Sequence, residues 1–128
     1  MSAFIDWAGA GVPVVCLSGI GGAAHLWAGT ARAFAGRRVL AWNQPGYGGR
    51  ALIDPLDFAG LAETLAADLD APVVDLVGHS MGGMIALEFA LRFPGRVRRL
   101  GGAGRGLPPR RLARRARGDA QQRHPAAL

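Results

Sequence analysis

Apolar positions along the chain fall into two periods. Residues 12–19 (VPVVCLSG), 37–43 (RRVLAWN) and 72–78 (PVVDLVG) are short, β-branched, nearly continuous apolar runs closed by glycine or a turn-rich loop. Such runs predict strands buried on both faces of a parallel sheet. Residues 4–8 (FIDWA) alternate apolar and polar and predict a short strand, and RVRRL (96–100) opens a further one. Between them the period lengthens. Residues 23–36 predict a helix stopped by Gly36, and 57–71 place Phe58, Leu61, Leu65 and Leu69 on one helical face. Residues 81–93 predict a third helix, ended by Pro94 and Gly95. The order is strand, strand, helix, strand, helix, strand, helix, strand. It predicts an α/β fold, a mostly parallel sheet flanked by helices with right-handed crossovers.

That pattern stops at Leu100. Residues 101–128 contain no β-branched or aromatic residue and include the pair Pro108-Pro109. Charge divides at the same place. Residues 1–100 hold 8 arginines and 8 acids, whereas residues 101–128 hold 7 arginines and one acid, Asp119, so the formal net charge of +6 lies wholly in the tail. The expectation is one domain over 1–100 followed by an irregular basic tail over 101–128. Cys16 is alone, and no histidines are closely paired, so neither a disulfide within the chain nor a metal site is expected. No apolar run has the length of a membrane span, and the N-terminus lacks a basic segment leading into an apolar one. A cytoplasmic location is the default expectation.

The chemistry centres on Gly78-His79-Ser80-Met81-Gly82, a Gly-x-Ser-x-Gly pattern. In a chain this rich in glycine the bare pattern carries little weight. Its setting carries more: it follows an apolar strand and opens directly into an amphipathic helix. A serine in such a turn is expected at positive φ with its hydroxyl clear of the strand end, and small residues are needed at 78 and 82 where the backbone doubles back. Gly83 adds clearance where the helix crosses the sheet. The helix N-terminus offers free N–H groups and a positive dipole end, suited to a developing oxyanion.

Four segments in order then resemble the N-terminal half of the α/β-hydrolase fold family: VVCLSGIGGAAHLW, VLAWNQPGYGGR, DFAGLAETLAADLDA and VDLVGHSMGGMIALEFALRFPGRV. In wording they are similar to 3-oxoadipate enol-lactonases and esterase-like serine hydrolases. The first segment resembles the family's His-Gly loop with its downstream tryptophan at Trp27, but Ser18 stands where the family has histidine. The second resembles Asp-x-Pro-Gly-x-Gly-x-Ser, with Asn43 and Arg50 in its first and last places. The resemblance implies Ser80 as nucleophile and the backbone N–H groups of Ile20 and Met81 as the oxyanion hole. It implies ester or lactone cleavage through an acyl-enzyme, with no cofactor. Asn43 is expected to shape its loop.

The same resemblance requires an acid and a histidine after the serine, in that order. Beyond Ser80 the chain offers Glu88, Asp119 and His124. Glu88 lies two turns into the elbow helix, pointing away from the serine, and is expected to be a helix-surface residue. Asp119 and His124 have the right order but sit in a stretch with no strand pattern to hold them, so the triad partners stay unassigned. His79 is expected to shape the elbow with its ring turned from the serine's pocket, and His25 to pack in the first loop.

Other readings stay open. Gly19-x-Gly21-x-x-Ala24 after a strand also fits a dinucleotide fingerprint, yet Trp42 and Asn43 stand where the required acid would be. The arginines of the tail would attract nucleic acid or anionic membrane without sequence preference, but no aromatics interleave them, so no specific nucleic-acid partner is expected. A non-catalytic fragment is a third reading. Oligomeric state is not legible. The abrupt change of composition in a lysine-free, Ala/Gly/Arg-rich chain reads as a frameshift near residues 100–102, with an open sheet edge and poor stability as its consequence. Sequencing the gene past that point is then expected to find the family's next strand and a histidine in another frame; finding neither overturns the idea.

Overall fold

The computed structural model describes residues 2–103 together with the backbone pair Arg110–Arg111. Strands β1 (Phe4–Trp7), β2 (Ala10–Leu17), β3 (Arg37–Trp42), β4 (Val74–His79), β5 (Val97–Ala103) and β6 (Arg110–Arg111) form one sheet in the order β1-β3-β2-β4-β5-β6. The central strands β3, β2, β4 and β5 run parallel, and the outer β1 and β6 pair antiparallel to β3 and β5. The two apolar runs nearest the middle, β2 and β4, occupy the centre, as strands without a polar face must.

Side chains of the central strands alternate between two cores. Val15, Leu17, Leu40, Trp42, Leu76 and Leu100 face helices α2 (Phe58–Asp68) and α3 (Met81–Arg92), which contribute Leu61, Leu65, Ile85 and Phe89. Val14, Cys16, Val39 and Ala41 face the other way, against Ala24, Ala31, Trp27 and Phe34 of the segment that includes α1 (Ala28–Ala33). Burial pushes the Cys16 thiol up to about 12, so it behaves as a small core hydrophobe and not as a reactive group.

Three local expectations change. The helix expected over 23–36 is a 3₁₀ turn at Ala24–Trp27 followed by the six-residue α1. Neither piece has a side-chain cap, and Gly29 lowers the propensity of the little helix that forms. Helix α2 is capped by Asp57, whose carboxylate accepts the Gly60 N–H at 2.7 Å, and it ends at Asp68. Of its expected apolar face, Leu61, Leu65 and Leu69 are buried, whereas Phe58 in the first turn is exposed. Strand β5, finally, runs past Leu100: Gly101, Gly102 and Ala103 pair with Val77, Gly78 and His79. Pairing to a central strand supplies there what the propensity of glycine does not. The edge beyond it is covered over two residues, where Arg110 and Arg111 pair with Leu100 and Arg99.

One buried carboxylate ties three strands together. Asp75 of β4, 6% exposed, accepts from Arg37 of β3 at 2.8 Å and from Arg98 of β5 at 2.7 Å. Desolvation raises its pKa, but the hydrogen bonds and charges of Arg98 and Arg37 outweigh it and hold the carboxyl below the ordinary value of 3.8. A carboxyl depressed by folding stabilises the fold above its unfolded pKa and loses that contribution as pH falls through its folded pKa. Asp75→Asn leaves two guanidiniums facing an amide. It is expected to lower stability at pH 7 by about 2 kcal/mol, less than for a fully buried pair because the arginines are partly solvated. Urea titrations over a range of pH check this: the gap between the two proteins should close on acidification, and a pH-independent gap would contradict the assignment.

Candidate active site

The C-terminal end of the sheet is where β2, β3 and β4 release three loops, and the candidate residues gather there. Strand β4 ends at His79 and α3 begins at Met81, so Ser80 alone makes the turn. It has φ +55° and ψ −116°, and no other described non-glycine residue has positive φ. Such a conformation costs on the order of 1–3 kcal/mol and persists only where the surroundings impose it. They do so by close approach. A Cβ on Gly78 would stand 2.5 Å from the carbonyl of Gly82, and a Cβ on Gly82 would overlap the carbonyl of Leu17 in β2. The strand and helix can meet this closely only with glycine at both places, which fixes the turn between them.

Ser80 is exposed, and its hydroxyl makes no capping bond to its own helix. Its carbonyl accepts the Gly83 N–H at 2.9 Å. Met81, as the first helical residue, keeps an N–H with no partner one turn back, at the positive end of the α3 dipole. The serine is thus presented beside the kind of donor an anionic oxygen requires.

The loop after β2 lies against this elbow. A Cβ on Gly19 would come within 3.1 Å of the Ser80 Cβ, so the loop backbone passes directly beside the serine. Gly19–Gly22 form a turn closed by the Gly22 N–H on the Gly19 carbonyl at 3.0 Å, with Gly21 at φ +78°. Ile20, at the turn's second position, is 81% exposed. Two side chains anchor the loop. The Trp27 indole N–H donates to the Ser18 hydroxyl at 2.9 Å, and the Gly21 N–H donates to the Tyr47 hydroxyl at 3.3 Å. Ser18 and Trp27 were both legible from the sequence, but their bond was not; neither was the reach of Tyr47 across from the next loop.

That next loop, 43–50, is held from α2. Arg50 donates to the Asn43 carbonyl at 2.6 Å and to Asp68 at 2.8 Å, and Asp68 also accepts the Trp42 indole N–H at 2.8 Å. Asn43 lies against Gly48, which has φ +59°, and donates to the Ser2 carbonyl at 3.2 Å, the loop-shaping place expected of it.

The remaining candidates separate. His79, next to the serine in sequence, lines a cavity of about 250 Å³ with Ser18, Leu26, Trp27 and Thr30, against the loop after β2. His25 is exposed in the 3₁₀ turn and does not pack in the loop, because Ala24 takes the buried side of that turn. Glu88 pairs with Arg92 at 2.7 Å on the outer face of α3. Asp119 and His124 lie outside the described residues. Among the described residues, no group of three or more His, Cys, Asp or Glu stands together as a metal site would need, and no helix is long and apolar enough to cross a membrane.

With this geometry, the chain matches the model of the alpha/beta hydrolase fold over residues 12–117. It is 44% identical over 62 residues to a pimeloyl-[acyl-carrier protein] methyl ester esterase of Neisseria meningitidis, a match covering 48% of this chain and 24% of that protein. It is 40% identical over 102 residues to a 2-hydroxy-6-oxo-2,4-heptadienoate hydrolase of Pseudomonas putida, covering 72% of this chain and 37% of that one. Among solved structures, a marine microorganism esterase superposes with a TM-score of 0.72 at 26% identity, over 77% of this chain and 40% of that one. The chain therefore spans well under half the length of these relatives.

The steric account of the elbow makes a direct prediction. Gly82→Ala drives a methyl group into backbone that cannot move aside and is expected to cost at least about 3 kcal/mol, the upper part of the overpacking range. Gly95→Ala, with nothing within 4 Å of the added Cβ, is expected to be nearly neutral. Chemical denaturation of the two variants checks it; equal stabilities would dismiss the close-approach argument.

Proposed function

Since this chain belongs to the alpha/beta hydrolase fold family, we propose that it carries the nucleophile and oxyanion hole of a serine hydrolase, cleaving a small ester or lactone through an acyl-enzyme on Ser80. The observation that supports this most is Ser80 itself, exposed at φ +55° between β4 and α3. The fold bears backbone strain at a position where the gain is access for a hydroxyl.

In this reading the Ser80 Oγ attacks the substrate carbonyl carbon. The carbonyl oxygen becomes an oxyanion held by the backbone N–H groups of Ile20 and Met81, and the C–O bond to the leaving alcohol breaks to give the acyl-enzyme. Water then attacks the acyl carbonyl at the same place and returns the serine. Loss of one oxyanion donor typically costs about 10²–10³ in rate, so the rigidity of the loop bearing Ile20 matters as much as the serine. Ser18 in place of the family's histidine leaves a donor at Ile20 intact, because that donor is backbone. No step calls on a cofactor.

The proton taken from Ser80 needs a base; of the described imidazoles, His25 is exposed in the first loop and His79 lines the cavity beside Trp27 and Thr30. Asp119 and His124 follow the serine in the order the family resemblance implies. Without a positioned base, a serine site retains part of its advantage through binding and oxyanion stabilisation. The esterase named among the relatives, and the hydrolase of an oxo-dienoate, support carbonyl substrates of this kind.

A fluorophosphonate probe tests the reading. The folded chain is expected to label slowly at Ser80. Labelling should disappear in Ser80→Ala and after urea denaturation and should persist in Ser2→Ala. A chain that melts cooperatively yet takes no label, or whose labelling survives Ser80→Ala, would refute the nucleophile and leave a non-catalytic domain. Salt-sensitive nucleic-acid binding that survives Ser80→Ala but not removal of residues 101–128 would instead favour the basic tail as the functional part.

A further inference from the structure

We propose that Tyr47 is a positioning residue for the oxyanion loop, its phenol oxygen bracing the Gly19–Gly22 turn that carries the Ile20 N–H against the loop 43–50; this rests on the reading of Ile20 as an oxyanion donor. The turn at Gly19–Gly22 has its closing bond from Gly22 to Gly19, positive φ at Gly21 and no positive φ at Ile20. That is a type II turn. Types I and II differ chiefly by a flip of the central peptide, here the one joining Ile20 to Gly21, and glycine at the third position tolerates both. The turn alone therefore does not choose its own state.

Tyr47 ties the turn to the next loop. Its hydroxyl oxygen accepts the Gly21 N–H at 3.3 Å. Flipping the peptide would break this bond, and the hydroxyl would have to turn from acceptor to donor to meet the Ile20 carbonyl in its place. The phenol can act in this way because its own backbone is fixed. The Tyr47 N–H donates to the Gln44 carbonyl at 2.9 Å, its carbonyl accepts from Arg50 at 3.0 Å, and Arg50 is bound to Asp68 of α2. The rigidity of α2 thus reaches the loop beside Ser80 through one side chain, while the Trp27–Ser18 bond holds the other end of that loop.

Tyr47→Phe keeps the ring and removes the oxygen. In the full-length chain, Gly21 amide exchange is expected to lose its protection, and the Ile20 and Gly21 resonances to broaden, while the melting temperature holds. The maximal rate of fluorophosphonate labelling at Ser80 should fall about fivefold to tenfold, with the half-saturating probe concentration unchanged. Gly21→Ala is the second variant. It strains the same φ without a clash, since nothing lies within 4 Å of the added Cβ, and it should reproduce the labelling defect with Tyr47 present. If the parent chain takes no label at Ser80, the nucleophile reading has failed, and the exchange and broadening at Ile20 and Gly21 alone decide the brace. Unchanged Gly21 protection in Tyr47→Phe, or lost protection with an unchanged labelling rate in a labelling-competent chain, overturns the proposal.

Discussion

A Cβ at position 82 would overlap the carbonyl of Leu17, and one at 78 would stand 2.5 Å from the carbonyl of Gly82. Contact between the N-terminus of α3 and the backbones of β2 and β4, closer than any side chain permits, governs the rest of the site. It forces the single residue between β4 and α3 into positive φ and turns its hydroxyl outward. It also aligns the first free N–H groups of the helix with the end of the sheet. The strain is held by burial further along the same helix, where Ile85 and Phe89 are fully enclosed with Leu65, Leu76 and Val97 around them. Core packing and site geometry are in this sense one energetic unit, since loosening α3 from the sheet would release Ser80 to an ordinary conformation.

Around that elbow the loops are held by polar bonds between their own side chains and neighbouring elements. Where the family resemblance led to an expectation of histidine, Ser18 takes the indole N–H of Trp27. Where it led to aspartate and serine, Asn43 and Arg50 close their loop through the Asn43 carbonyl and bind it to Asp68. Each departure removes one polar partner and brings another, so the loops stay anchored without the usual side chains. Arg50 is well suited to this: a guanidinium can donate to a carbonyl and a carboxylate at once, which a hydroxyl cannot. The ends of the strands are thereby tied to α2 and to the first loop independently of any triad.

The sequence of strands and helices along the chain, both well-formed helices and the elbow were legible because each rests on a local rule. A period of two or of 3.6 places the core, and a Gly-x-Ser-x-Gly between strand and helix has few other structural solutions. The segment 23–36 misled because its apolar residues suit a helix, whereas its geometry is set by Trp27 reaching back to Ser18, a tertiary bond that periodicity does not encode. The extension of β5 through Gly101 and Gly102 was hidden for the opposite reason. Its residues have no strand propensity, and only the register of β4 beside them creates one. Tyr47 was visible as a residue in a turn-rich loop, but its partner lies 26 positions away. Hydrogen bonds between loops leave no periodic trace.

These contacts divide the proposed chemistry along the chain. Stabilising an oxyanion demands preorganised backbone dipoles, and in the proposed reading residues 18–22, 43–50 and 78–83 would hold them through turns, glycine contacts and bonds within or between neighbouring elements. Moving a proton demands something else: an imidazole and a carboxylate brought into register with Ser80 from positions later in the sequence. The first requirement calls only on the loops and turns at the end of the sheet. The second depends on long-range placement, and a match spanning only 24–37% of the two curated relatives concerns mainly the first. Electrostatic preorganisation and proton transfer are therefore separable here. The elbow and its loops can keep their geometry whether or not a base is in place, because among the described residues the bonds that anchor the loops come from Ser18, Trp27, Tyr47, Arg50 and Asp68.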